Sequence, residues 1–290
     1  DVLKGTASRD FGPCTSACSF MAALLNLPVD LVLLRCGESE ANVAADLLSR
    51  GFQRGSDALL AAGTHDSEVR LTEFGRAQAR AVGRWLQDPG GAQFDQLFVS
   101  PHVRALETAG EMGLPGARWE VDHALRDREH GIQQGFGSPD LKLSIEEKTR
   151  LNMSNLYWAP VCGESPAQVC DRVRLFLSLL CSSAAGKRVL IVCHLRVMQA
   201  FRIILEERVG SEACELTFKD RLPNCTVLWY TRRDPDGKIH DRMYGGKVVV
   251  VDEDGSNAKE TPFSMGRRLY TNEQLLDIAS KMPQVISVDA

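Results

Sequence analysis

Two arginines, a histidine, a cysteine and an asparagine stand where three separate stretches of the chain turn from apolar to polar. Asp30-Leu-Val-Leu-Leu34 runs into Arg35-Cys36-Gly37-Glu38-Ser39, with Asn42 shortly after. Phe94-Asp-Gln-Leu-Phe-Val99 runs into Ser100-Pro101 and Arg104. Lys187-Arg-Val-Leu-Ile-Val192 runs into Cys193 and His194. A guanidinium presents parallel N–H donors that match phosphoryl oxygens two at a time. Arg35 and Arg104 would supply two such forks and Asn42 a further donor. A helix opening after the Arg35–Asn42 turn would add its positive end. His194 would donate too, and would stabilise transferring charge when protonated. Cys36 adds a nucleophile, because a thiolate attacks well and two arginines beside a helix N-terminus would depress its pKa. What these residue types share is the capture of a phosphoryl group and attack upon it.

Residues so far apart in sequence meet only if a fold gathers them. The three apolar runs read as buried parallel strands, and Thr226–Tyr230 and Lys247–Val251 read as further strands. Helical spacing covers Ala41–Leu48, Ala77–Leu86 behind a Thr72 N-cap, and Ala105–Met112 with Gly113 placed to stop it. It also covers Ser165-Pro166 to about Leu180, Val197–Glu207 and Asn272–Lys281. Residues 50–70 read as an insertion or lid loop and 120–145 as a long charged, glycine-rich connection. The alternation predicts a three-layer α/β/α fold with a mostly parallel central sheet, whose ligands bind beyond the carboxyl ends of the strands. Residues 1–29 are expected to form an N-terminal arm. Residues 30–290 are expected to form one α/β domain with a C-terminal strand and helix extension.

The segment Leu34-Arg35-Cys36-Gly37-Glu38-Ser39-Glu40-Ala41-Asn42 resembles the Arg-His-Gly-Glu signature of the histidine phosphatase superfamily, in its phosphoglycerate-mutase-like group. The likeness continues in order through Leu71-Thr72-Glu73 with Gly75, Ser100-Pro101-His-Val-Arg104-Ala105 and Leu125-Arg126-Asp127. It goes on through Gly163-Glu164-Ser165, Val189–His194 and Asn224-Cys225, covering about residues 31–230. The resemblance implies a phosphoglycerate-mutase-like fold and phosphomonoester hydrolysis through a phospho-enzyme or mutase transfer, with no metal and no cofactor. It implies Cys36, Asp127 and His194 as catalytic positions and Arg35, Asn42, Arg104 and His194 as phosphate ligands. Three positions depart from the pattern. Cys36 stands for the phosphorylated histidine. Asp127, one methylene shorter, stands for the glutamate that protonates the leaving oxygen. Leu195 stands where glycine is usual, would crowd the pocket floor, and is followed by Arg196, which is either an added cation or a solvated one. The sulfur sits closer to the backbone than a ring nitrogen would, and in-line attack is intolerant of misplacement.

The remaining features bound the reading. The chain has 290 residues, 44% apolar and 25% charged, as a globular protein does. Its net charge of −4 argues against nucleic-acid or membrane partners but permits a local cationic pocket. Nine cysteines scattered through apolar runs suggest small buried hydrophobes in a reducing, cytoplasmic compartment. Cys14 and Cys18 lack a second pair to complete a zinc site. No apolar run reaches transmembrane length. The start at Asp1 without methionine leaves the natural N-terminus open. His65, His102, His123, His130 and His240 read as structural or exposed. Arg126, Arg128 and Glu129 read as a solvated charge run, Glu107 as a support for the pocket or for its own helix, and Cys193 as core. The expected function is a phosphatase for a small phosphorylated metabolite, and the expected partner is a small phosphorylated molecule or phosphate. The alternatives are an inactive relative that binds a phosphorylated ligand or a protein partner, and an enzyme of diverged chemistry.

Overall fold

The Asp30–Leu34 run is apolar throughout because the strand it forms is covered on both faces. The computed structural model describes residues 26–51, 64–87, 93–131, 156–208, 210–219, 221–265 and 269–280. In it, β1 (Asp30–Arg35) turns Leu31 and Leu33 toward one core and Val32 and Leu34 toward the other, all four fully buried. The period of two behind this split is that of any extended chain.

The helices α1 (Glu40–Ser49), α2 (Glu73–Gln87) and α3 (Val103–Glu111) follow in order, with β2 (Gln96–Val99) between the last two. Next come β3 (Trp119–Val121), α4 (Pro166–Ser183), β4 (Arg188–Cys193), α5 (Leu195–Leu205) and α6 (Gly210–Lys219). The chain continues through β5 (Val227–Thr231), β6 (Gly245–Val251), β7 (Ala258–Ser264) and α7 (Asn272–Ser280). The seven strands form one sheet in the order β3-β2-β4-β1-β5-β6-β7. The first four in that order are parallel, and each junction from β1 to β7 is antiparallel. Only β5 and β7 therefore oppose the common direction, and the expected α/β layering holds around a mixed sheet. Helices α4 and α5 cover one face through Phe176, Leu177 and Phe201, and α2 and α3 cover the other through Val82, Leu86 and Ala109.

Local chemistry sets the helix ends. Thr72 Oγ1 accepts from Gly75 N at 3.0 Å, so α2 starts earlier than the Ala77 expected from periodicity alone. Ser165 caps α4 in a capping box with Gln168, and Pro166 fills the first turn. Gly113, at φ 58, takes the left-handed conformation just past α3. Three elements had no expectation: β3, β7 and α6. The anticipated arm at residues 1–29 falls outside the described residues up to residue 25, as do most of the 50–70 and 120–145 segments. What is described of these two segments holds short 3-10 turns at Asp66–Glu68 and His123–Leu125.

Candidate functional site

Neighbouring parallel strands β1 and β4 pair Arg35 with Cys193, so Cys36 and His194 emerge side by side at their carboxyl ends. Ser39 then caps α1, receiving Asn42 N at 3.4 Å while its own N–H donates to Asn42 Oδ1 at 3.1 Å. Asn224 Nδ2 donates to the same oxygen at 3.1 Å and to Cys36 O at 3.0 Å. With its oxygen so occupied, the Asn42 side chain offers a cavity ligand only its NH2 donors.

The loop after β1 lies on the first turn of α2. A Cβ on Gly75 would meet Glu38 O at 2.0 Å, and one on Gly37 would meet Gly75 O at 2.5 Å. Glycine is needed at both points of this close approach. Glu107 fastens the segment from the side. Its carboxylate accepts from Leu71 N at 2.7 Å and Arg76 Nη1 at 3.1 Å, and also from Arg70. Glu107 therefore supports the pocket rather than only its own helix, and these donors hold its pKa below the usual value against the effect of burial.

A cavity of about 170 Å³ opens at this edge. Arg35, Cys36, Asn42, Arg104, Asp127 and His194 all line it, together with His130, Leu195 and Arg196. His130, read from sequence as structural or exposed, is thus placed in the pocket wall. Leu195 begins α5 at the cavity, where crowding was expected. A larger cavity of about 460 Å³ between the end of α5 and β7 holds none of these groups. Among the described residues no cluster of three or more His, Cys, Asp and Glu side chains is placed to hold a metal ion.

Charge within the pocket is arranged by pairing and burial. Arg104 Nη2 donates to Asp66 Oδ2 and Asp127 Oδ2, each at 2.9 Å, and Nη1 donates to Asp66 O at 2.5 Å. Arg35 donates to the backbone oxygen of Leu222, which leaves its charge without a carboxylate in that bond. Burial alone would raise the Asp127 pKa, but the His194 ring and the Arg104 guanidinium hold it well below the usual carboxylate range. Burial also depresses His194 far below an ordinary histidine, so its ring is neutral at pH 7 and the condition of protonation, on which its stabilising of transferring charge depended, is not met there. His194 Nε2 lies 2.7 Å from Ser100 Oγ, and Nδ1 lies 3.6 Å from Asp127 Oδ2 and 3.7 Å from Cys36 Sγ. An ionised carboxylate beside Nδ1 favours the tautomer with hydrogen there, Ser100 then donating to Nε2.

Cys36 departs from expectation. Burial, the largest influence, pushes its thiol up; Arg104 and Arg35 pull it down, and Asp127 and Asp66 push it up again. The two arginines do not deliver a favoured thiolate in the unliganded pocket, because desolvation outweighs them and Arg104 is already engaged by two carboxylates. The Arg126–Glu129 run is also not a solvated face. Glu164 Oε1 receives Arg126, Arg172 donates to both carboxylate oxygens at 3.1 Å, and Glu129 N donates to Oε2 at 3.1 Å. Asp66 is the partner that sequence gave no sign of, since it meets Arg104 through the short turn at Asp66–Glu68.

The sequence profile of the histidine phosphatase superfamily (branch 1) matches residues 31–241. The chain belongs to the histidine phosphatase superfamily. Its relatives include a phosphoglycerate mutase-like protein of Arabidopsis thaliana, 32% identical over 162 residues. That alignment takes in 52% of this chain and 53% of the relative, so the chain spans about half of that protein's length. A 2,3-bisphosphoglycerate-dependent phosphoglycerate mutase of Azorhizobium caulinodans is 30% identical over 183 residues, covering 61% of this chain and 81% of the mutase. In structure, the phosphoserine phosphatase of Entamoeba histolytica, solved with 3-phosphoglyceric acid, matches with a TM-score of 0.55. It is 21% identical, over 75% of this chain and 95% of that one, and the likeness is one of fold. For a member of the histidine phosphatase superfamily the cavity lies where strand-end ligand sites lie in α/β sheets. No helix among the described residues is long and apolar enough to cross a membrane.

Proposed function

We propose that this chain binds phosphomonoesters of small metabolites at the β1–β4 edge and cleaves them through Cys36. One observation carries the reading: Arg35, Arg104, Asn42 and His194 surround a single cavity that Cys36 also lines. The names of the relatives, mutases and phosphatases of phosphorylated metabolites, support the substrate class. A phosphoryl group seated there competes with Asp66 and Asp127 for Arg104, and the loss of that pairing raises the Asp127 pKa. Cys36 must lose a proton before attack, and Asp127 must gain one before it can protonate a leaving oxygen. A single transfer from Cys36 to Asp127 meets both needs. The S–P bond then forms, the ester P–O bond breaks, and the departing oxygen takes that proton from Asp127. Water later cleaves the thiophosphate.

One observation favours a second reading, binding without turnover. The resting site holds Cys36 protonated and Asp127 ionised, the reverse of the states attack requires. Phosphate titration together with turnover on a panel of phosphomonoesters separates the two. Arg104→Ala should weaken phosphate binding by roughly ten- to a hundredfold, since a hydrogen bond to a charged group contributes about 1.5–3 kcal/mol. Equal affinity in wild type and variant would sink the shared pocket. Cys36→Ser should keep binding and lose turnover. Binding in a wild type that turns over none of the panel would establish the second reading.

A further inference from the structure

We propose that Cys36 and Cys225 are a reversible disulfide pair, with a peroxide as the oxidant that closes it and a small thiol as the reductant that opens it. The antiparallel register of β1 and β5 sets Leu34 opposite Val227. Past that last ladder pair Arg35 N still donates to Thr226 O at 3.0 Å, and the turn at Asn224–Cys225 brings Cys225 beside Cys36. Cys225 N reaches Cys36 O at 3.4 Å. This direct backbone bond holds the two residues in contact, the first requirement of a disulfide, whose Cα atoms lie roughly 4.4–6.8 Å apart.

The sheet itself distinguishes this pair from its neighbour. Cys36 N also bonds Cys193 O at 2.9 Å, yet the two side chains lie on opposite faces. Cys193 belongs to the core beneath α4 and α5, whereas Cys36 and Cys225 share the core beneath α2 and α3. Cys225 is also held at φ 57, a left-handed conformation that is uncommon for a side chain without an amide or carboxylate. Bonds from Cys225 N and Asn224 Nδ2 to Cys36 O surround that position. Such local strain marks a position fixed by its surroundings.

Cys36 lines the anion cavity, which gives a peroxide its route to that sulfur. The sulfur attacks one peroxide oxygen, an S–O bond forms and the O–O bond breaks. Hydroxide leaves and takes the thiol proton as water, giving a sulfenic acid. The Cys225 sulfur then attacks the Cys36 sulfur, the S–S bond forms and the S–OH bond breaks. A second water departs with the Cys225 proton. In sum, two thiols and one hydrogen peroxide give one disulfide and two waters. A reducing thiol reverses the bond by exchange. Loss of turnover on closure rests on the phosphatase reading above; the disulfide does not.

The test is peptide mapping of the reduced wild-type chain after hydrogen peroxide at mildly alkaline pH, without reductant. A Cys36–Cys225 linked peptide that dithiothreitol removes is the expected result. Cys225→Ser should send Cys36 on to sulfinic acid, while Cys193→Ser should leave the linked peptide unchanged. The wild-type map stands alone if Cys225→Ser does not fold. Cys36 that stays a thiol, is oxidised without the link, or is linked to another cysteine would overturn the pair. Because the readout is mass, it holds whether or not the protein turns over any phosphomonoester.

Discussion

Burial sets the protonation of His194, and that has a consequence for stability. The ring is fully enclosed between Ser100, Asp127 and Cys36, and its pKa lies well below that of a free histidine. As pH falls through about 6.5 the unfolded chain takes up a proton at this position while the folded chain does not. The stability contributed by the depressed group is complete above that pH and is lost as pH falls toward the folded value. From pH 7 to 5 the uptake by the unfolded chain sets a ceiling of about 2 kcal/mol on this loss for one such site. His102 and His130 are depressed too, so His194→Gln should remove only its share of the loss. Urea unfolding at the two pH values checks this, and an unchanged difference in the variant would mean that the ring titrates alike in the folded and the unfolded chain. Residue identities at the site were legible because Arg35, Cys36, Arg104 and His194 each follow an apolar run. Their charge states were not. The thiol of Cys36 depends on how far the pocket excludes water, and the engagement of Arg104 depends on Asp66, whose place is set by a turn that leaves no periodic trace.

At the scale of elements, two glycines in neighbouring helices ought to respond in opposite ways to the same substitution. Gly75, in the first turn of α2, touches Glu38 O, which a Cβ would approach to 2.0 Å. Gly75→Ala must push the Glu38–Ser39 loop off the helix, at a cost of about 1–3 kcal/mol as overpacking goes. It should also weaken phosphate binding, because Ser39 caps the helix that carries Asn42. Gly110, inside α3, has nothing within 4 Å of an added Cβ. Gly110→Ala should stabilise by about 0.5–1 kcal/mol through helix propensity and leave binding alone. Thermal unfolding with phosphate titration of the two variants checks the pair; loss of binding in Gly110→Ala would disprove the assignment of the effect to the Glu38 contact. Elements with strong patterns were readable for the same reason that they are stable. The strand β7 was not, since Ala258–Ser264 is a largely exposed edge strand that carries Pro262 and, among the described residues, pairs with β6 alone. The strand β3 is three residues long, too short for alternation to register.

At the scale of the whole molecule, the question is whether the parallel half that carries the pocket and the antiparallel half beyond β1 unfold together. Strand β5 pairs with β1 from Asp30↔Thr231 to Leu34↔Val227, directly behind the pocket. Val227, Leu228 and Tyr230 are fully buried, and Tyr230 and Leu228 share a core with Phe176 and Phe201. Peeling β5 away would expose these three side chains at about 1.5–3 kcal/mol each, a sum comparable to the roughly 5–15 kcal/mol that holds a typical domain together. A second seam crosses the same boundary. Trp229 on β5 meets Trp85 of α2 at 6.5 Å and Phe94 at 6.2 Å between ring centroids, and its Nε1 donates to Asp30 Oδ1 at 3.3 Å. Arg188 of β4 and Lys247 of β6 lie over that ring from either half, at 5.7 and 5.3 Å. We expect residues 30–264 to behave as one cooperative unit on this account. Tryptophan fluorescence, which reports Trp85 and Trp229 at the seam, Trp119 on β3 at the far edge and Trp158, should change with urea at the same midpoint as far-UV circular dichroism. Phosphate added at saturating concentration should move both midpoints upward together, because a ligand that binds only the folded site stabilises everything coupled to it. Two separated transitions, with phosphate shifting only one, would show instead that the antiparallel strands fold independently of the pocket.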